Sequence, residues 1–289
     1  MNKKKVVVTG GIGFIGSHLV QALQKEEYEV VVVDTEAGQD INDAELLCQL
    51  FVGATFVFHL AALPRVQYSI EHPEETHRVN VDGTLAVLTA AKEAGVRRVI
   101  FSSSSAVYGD VDTMPISESQ PLNPKSPYAL HKYIGELYCR LFSQIFGLET
   151  VSLRYFNVYG PGMKADGAYA PAVAIFLEQH IRGVLMTITG DGTQTRDFVH
   201  VDDVVRANIL ASTRMEVGNG ESINIGSGTS ISMNKIAEQI GGEVTYLPPR
   251  LEPHDTLADI SLAQKLLGWT PTTTFDVGLA ELKKQSGLI

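Results

Sequence analysis

Three glycines placed directly after a short apolar run constrain this chain more than any other feature. Val6-Val7-Val8-Thr9 runs straight into Gly10-Gly11-Ile12-Gly13-Phe14-Ile15-Gly16, so a buried strand has to turn at once into a helix. Glycine at 10, 13 and 16 lets the backbone turn tightly and approach a bulky anion. A helix opening there points its N–H groups and positive end at that anion. Glycine-rich turns are common, and this one gains meaning from a partner: a second apolar run, 30–34, ends at Asp34. A carboxylate at that point can hold both ribose hydroxyls of a dinucleotide and repels an added 2′-phosphate. Thr35, Glu36 and Ala37 bring no Arg or Lys to bind one. The constellation predicts NAD over NADP.

Further runs rich in Val, Ile and Phe fall at 55–60, 98–103 and 149–153. They are continuous rather than alternating, as parallel strands covered on both faces should be. Amphipathic stretches at 17–25, 80–94 and 127–146 lie between them. The alternation predicts an α/β fold: a doubly wound parallel Rossmann sheet with a smaller, interwoven C-terminal α/β lobe. The turn-rich second half suggests the division. Residues 1–165 form the dinucleotide-binding domain, to which 197–228 return, and 166–196 with 229–289 form the second lobe.

Composition excludes several classes. A net charge of −10, from 33 Asp and Glu against 23 Lys and Arg, gives no bulk attraction for nucleic acid or an anionic membrane. The only cysteines, Cys48 and Cys139, fall in helical stretches and are expected to be reduced, with no metal site. The lysine-led N-terminus lacks a sustained apolar segment, so a cytoplasmic protein is expected.

The chemistry-bearing segment is Ser126-Pro127-Tyr128-Ala129-Leu130-His131-Lys132. Ser126 is a good N-cap and Pro127 suits a first helical position. Tyr128 and Lys132 then share one helical face. A nearby ammonium, the helix N-terminus and a cationic nicotinamide would all favour the phenolate, tuning the tyrosine for general acid–base work. Upstream, Phe101-Ser102-Ser103-Ser104-Ser105-Ala106-Val107-Tyr108-Gly109 closes a predicted strand, at the end where open parallel sheets bind ligands.

Taken in order, these motifs resemble the extended short-chain dehydrogenase/reductases, and within them the NAD-dependent nucleotide-sugar epimerases, nearest the UDP-hexose 4-epimerases. The resemblance covers nearly the whole chain. It implies cofactor contacts at Gly10, Gly13, Phe14, Ile15, Gly16 and Asp34, at Asp40 and Ile41 beside the adenine, and along Leu60, Ala61 and Ala62. Asn80, Ser102, Tyr128, Lys132 and Tyr155 complete that set. It further implies a catalytic Ser104 (Ser105 being next in line), with Tyr128 and Lys132. The dehydratases of this group carry an Asp-Glu pair after their catalytic threonine, and the decarboxylases an acidic residue there. Ser105-Ala106 supplies no carboxylate, so both reactions are disfavoured.

The same resemblance implies a UDP-sugar substrate held by Ser104, Asn157, Arg196, Arg250, Glu252 and Thr256. Asn157 and the arginines would bind the diphosphate, Glu252 the uridine ribose, and Thr256 would wall the pocket beside the sugar's 2-substituent. UDP-glucuronate 4-epimerases often carry Thr where Asn157 stands, which points to neutral hexoses. One departure stands out: the usual Arg-x-Gly-Asp turn is replaced by Arg250-Leu251-Glu252-Pro253 and is a residue shorter. His200, without ligand spacing around it, reads as structural. A homodimer is implied, through a four-helix bundle built from 80–94 and 127–146. The alternatives are another sugar-nucleotide epimerase, a 4-ketoreductase, or a non-catalytic nucleotide-sensing module; the last usually loses the Ser/Tyr/Lys set that is kept here.

Overall fold

Because both faces of the sheet are covered, its strands are apolar at consecutive positions. In the computed structural model, which describes residues 3–165, 171–249 and 254–288, the first half alternates regularly. It runs β1 (Lys5–Thr9), α1 (Phe14–Lys25), β2 (Glu29–Val33), α2 (Ala44–Phe51), β3 (Ala54–His59), α3 (Val66–Glu71) and α4 (Pro73–His77). α5 (Gly83–Glu93), β4 (Arg98–Ser104), α6 (Pro127–Phe146) and β5 (Glu149–Tyr155) follow. The second half carries β6 (Asn157–Tyr159), α7 (Ala172–Ile181), β7 (Met186–Thr189), β8 (Thr195–Arg196), β9 (Phe198–His200) and α8 (Val201–Thr213). It ends with β10 (Asn219–Ile225), β11 (Ile231–Ser232), α9 (Met233–Ile240), β12 (Val244–Leu247), α10 (Ser261–Leu267) and α11 (Phe275–Gln285).

Six strands form one sheet in the order β10-β5-β4-β3-β1-β2, and every pairing in it is parallel. Successive strand residues face opposite sides. Val6, Val8, Phe56, Phe58 and Ile100 therefore pack with α1 and α8 in one core, while Val7, Val57, Val99 and Phe101 pack with α2, α5 and α6 in the other. Strand order reverses at β1, which opens a crevice at the strands' C-terminal ends. A third core, with Tyr159, Phe176, Ile188, Ile236 and Leu279, unites the segments beyond β5.

Two expectations need correction. The stretch 80–94 is not one regular helix: a wide π turn, Arg78–Asp82, precedes α5, and within it the buried Asn80 amide faces Leu63 rather than solvent. Nor do residues 229–289 belong wholly to the second lobe. Ala263, Leu267 and Trp269 join the sheet's own core, because the fully buried indole packs there and donates to the Asp203 carbonyl at 2.9 Å.

Candidate active site

The glycine turn is as tight as its sequence demands. A Cβ at Gly16 would collide with the Gly10 carbonyl oxygen, and one at Gly10 (φ +71°) would meet the Ala61 nitrogen at 2.7 Å. Gly13 is the N-cap of α1, and no side chain caps that helix, so its first N–H groups face the crevice with Phe14 and Ile15 half-buried behind them. Asp34 lies at the end of β2. One carboxylate oxygen accepts the Ile12 N–H and the other the Glu36 N–H, both at 3.0 Å, leaving lone pairs on each for a diol. These features fit a dinucleotide's pyrophosphate and ribose.

The remaining walls are less direct. Asp40 is exposed, with one oxygen held by Asn42, while Ile41 is buried in the core. Leu60, Ala61 and Ala62 leave β3 beside Gly10. Asn80 reaches this turn from behind: its amide oxygen accepts the Leu63 N–H at 2.8 Å and its nitrogen donates to the Leu63 carbonyl at 3.0 Å. It therefore shapes the wall. Tyr155 ends β5 in register with Ser104, but its ring lies in the core and its hydroxyl donates to Asn208.

α6 starts where the sequence predicts. Ser126 caps it, accepting the Ala129 N–H at 3.2 Å, and Gly135 lets it approach β4, since a Cβ there would collide with the Phe101 ring. The Tyr128 phenol lies against the Ser104 side chain, whose hydroxyl accepts the Ala106 N–H at 3.2 Å. Ser105 instead begins a 3-10 turn. Lys132 Nζ donates to the Ser102 carbonyl at 2.7 Å and lies 5.9 Å from the centre of the Tyr128 ring. In the chain alone, burial pushes the Tyr128 phenol above its ordinary value, and Ser104 pulls it back. Burial pushes the Lys132 ammonium down to about 8, with Cys139 and Glu136 opposing.

Asn157, Arg196 and Thr256 converge on one short segment around Asp197. Arg196 Nη1 donates to the carbonyls of Thr195 and His254, each at 2.9 Å. Thr256 accepts the Asp197 N–H at 3.2 Å on its hydroxyl, and Asn157 bonds the Asp197 carbonyl. Arg250 and Glu252 lie outside the described residues. His200 is buried against Tyr159 and accepts the Asp202 N–H at 3.3 Å. Cys48 and Cys139 are free thiols.

Residues 6–226 match the NAD dependent epimerase/dehydratase family. The chain belongs to that family. It is similar to UDP-glucose 4-epimerase from Thermotoga maritima, solved with UDP-glucose, at 36% identity over 97% of this chain and 99% of that one, TM-score 0.92. A UDP-N-acetylglucosamine 4-epimerase from Methanobrevibacter ruminantium, in complex with UDP-N-acetylmuramic acid, shows 36% identity over 98% of each chain, TM-score 0.93. UDP-glucose 4-epimerase from Thermus thermophilus, in complex with NAD, shows 34% identity over 95% of this chain and 96% of that one, TM-score 0.86. These proteins share a fold but not one sugar, and the Thermus thermophilus structure holds NAD.

Several residues of this family member that the motif reading left unassigned underpin the site. Glu136 and Arg154 form a buried ion pair at 2.7 Å beneath the serine run. Tyr108 donates to Asn224 at 2.7 Å. Asp197, fully buried, accepts from Ser227, Gly228 and Ala258. The one available signal was spacing: Glu136 stands four residues after Lys132. No helix among the described residues is long and apolar enough to cross a membrane.

Proposed function

We propose that this chain is a UDP-hexose 4-epimerase, inverting C4 of UDP-glucose and UDP-galactose and accepting the N-acetyl sugars. The supporting observation is that one face of α6 sets Lys132 on the Ser102 carbonyl at 2.7 Å and the Tyr128 phenol against the Ser104 side chain at the end of β4, with only Ser105-Ala106 where an eliminating or decarboxylating enzyme needs a carboxylate. Gly10, Gly13, Gly16 and Asp34 would hold NAD, which when bound supplies a hydride acceptor, and later a donor, at the sugar's C4. Tyr128 takes the proton of the 4-hydroxyl through its contact with Ser104 and gives it back once the 4-keto sugar has turned about its diphosphate. Lys132 supplies the positive charge that a phenolate requires. Arg196 and Asn157, together with Arg250, would hold the diphosphate throughout that rotation.

Assembly as a homodimer belongs to the same proposal. Leu130, Leu137, Leu141 and Ile145 form an exposed apolar stripe along α6, at spacings that keep them on one face, and a second copy of the helix would cover it. The free thiols suit a cytoplasmic location.

The test is product analysis after separate incubation with UDP-glucose, UDP-N-acetylglucosamine and UDP-glucuronate. UDP-galactose should form from UDP-glucose with no net change in NAD or NADH; a 4-ketoreductase would instead leave UDP-glucose unconverted and oxidise NADH stoichiometrically only when a UDP-4-keto sugar is supplied. Tyr128→Phe should keep the fold and NAD binding while turnover drops at least ~100-fold. Near-normal turnover in that variant removes Tyr128 from the mechanism.

A further inference from the structure

α6 presents Tyr128, Lys132 and Glu136 at four-residue intervals along one face. Each of the three meets a consecutive residue at the end of β4. Tyr128 lies against the Ser104 side chain, Lys132 donates to the Ser102 carbonyl at 2.7 Å, and Glu136 accepts the Ser103 hydroxyl at 2.5 Å. The Glu136 carboxylate receives three further donors: Arg154 Nε at 2.9 Å, Arg154 Nη2 at 2.7 Å and Ser222 Oγ at 3.0 Å. Arg154 Nη1 continues to the Tyr108 hydroxyl at 2.8 Å, at the turn that ends the serine run.

A fully buried ion pair is a weak source of stability, since apolar side chains of similar volume often serve as well. The placement of this one is more telling. It holds the chain on either side of Ser104, at Ser103 on β4 and at Tyr108 in the turn that follows, and it sits one helical turn beyond Lys132. The groups facing Lys132 are Tyr128, His131, Glu136 and Cys139 on its own helix, His59 on β3 and the Phe101 ring on β4. Burial pushes His59 down to about 3, His131 down to about 4 and the Cys139 thiol up to about 12. All three are therefore uncharged near neutral pH, and Glu136, ion-paired with Arg154 at 2.7 Å, is the carboxylate among these neighbours.

We propose that Glu136, held in place by Arg154, is a positioning residue of the reaction: it fixes the register that brings Ser104 to Tyr128, and it provides the counter-charge for the Lys132 ammonium. This rests on reading Ser104, Tyr128 and Lys132 as the reacting groups. Glu136 touches neither sugar nor cofactor in this role, so its loss should lower kcat and leave KM for the UDP-sugar nearly unchanged.

The experiment follows Lys132 directly, by NMR of full-length protein labelled at lysine Cε with 13C, with Lys132→Arg used to assign the signal. In Glu136→Gln the Lys132 titration midpoint should fall by about 1 pH unit. The alkaline limb of the kcat–pH profile should move in the same direction. Because Glu136→Gln strands a buried guanidinium and can unfold the chain, Glu136→Gln/Arg154→Met is measured as well. It removes both charges and should fold, with a lowered midpoint and a kcat reduced at least ~10-fold. A double variant with wild-type midpoint and wild-type kcat would show that the pair serves packing alone, and would overturn the proposal. If the wild type turns over none of the three UDP-sugars, the functional reading fails. The Lys132 titration then still decides whether Glu136 supplies its counter-charge.

Discussion

Asn157 donates both its backbone N–H, at 3.0 Å, and its side-chain amide, at 2.9 Å, to a single acceptor, the carbonyl oxygen of Asp197. The N–H of Asp197 in turn goes to Thr256, and its carboxylate gathers the N–H groups of Ser227, Gly228 and Ala258 with the Ser227 hydroxyl. Three proposed substrate residues, Asn157, Thr256 and the adjoining Arg196, thus meet at the backbone of one residue whose buried carboxylate anchors it to the neighbouring loops. Asp197→Asn would set an amide against backbone donors and loosen the group. Affinity for UDP should drop about 10-fold, equivalent to roughly 1.4 kcal/mol, while NAD affinity holds. Calorimetry with each ligand checks this; equal losses for both would mean a general defect of folding.

Asp34→Ala removes the carboxylate that braces the Ile12 N–H and faces the proposed ribose position. NAD binding should weaken by about 10-fold or more, roughly the worth of a charge-assisted hydrogen bond. The preference over NADP should narrow, because the repulsion of a 2′-phosphate is gone. Titrating both cofactors into wild type and variant decides it. An unchanged NAD/NADP ratio would place the selectivity elsewhere.

Thr256→Tyr should suppress turnover of UDP-N-acetylglucosamine by steric exclusion. UDP-glucose should be handled less well too, since the substitution deletes the hydroxyl that accepts the Asp197 N–H. Thr256→Ser keeps that acceptor and a small side chain, so it should handle both sugars as the wild type does. Competition assays with the two sugars give the ratio. A tyrosine variant with an unaltered ratio would mean that Thr256 is not the gate.

His131 is buried and its Nδ1 has no hydrogen-bond partner. Burial, then His77, then Lys132 push its pKa down to about 4. The unfolded chain takes up this proton near pH 6.5 and the folded chain only near 4, so stability falls as pH drops through that window. His131→Leu should therefore show a shallower loss of stability between about pH 6.5 and about pH 4. Urea midpoints at several pH values test this, His59 giving a similar background slope in both proteins. Parallel curves would exclude His131 as a contributor.

Backbone architecture was largely legible because it is written in local terms. An apolar run covered on both faces, a serine cap before a proline, and glycines that cannot carry a Cβ each specify their structure within a few residues. The polar interior was not legible. Glu136 lies in a helix whose flanking residues Leu137 and Arg140 are exposed, and in sequence a helical glutamate reads as solvated. Only the approach of β4, β5 and β10, strands outside the helix, makes it the acceptor of four donors. Asp197 was hidden in the same way, behind its more conspicuous neighbour Arg196. The roles of Asn80 and Trp269 depend on contacts with Leu63 and Asp203 that no local pattern encodes.

The stacking of Tyr128, Lys132 and Glu136 on three successive residues of one strand also limits how such a gene can vary in length. Each residue added to or taken from a helix turns everything beyond it by about 100°. A single codon inserted between 128 and 136 would swing Glu136 off the strand, and one placed before 132 would swing Lys132 away as well. Length changes must therefore be absorbed in the turns outside α6, and this stretch of helix should tolerate substitution far better than insertion or deletion.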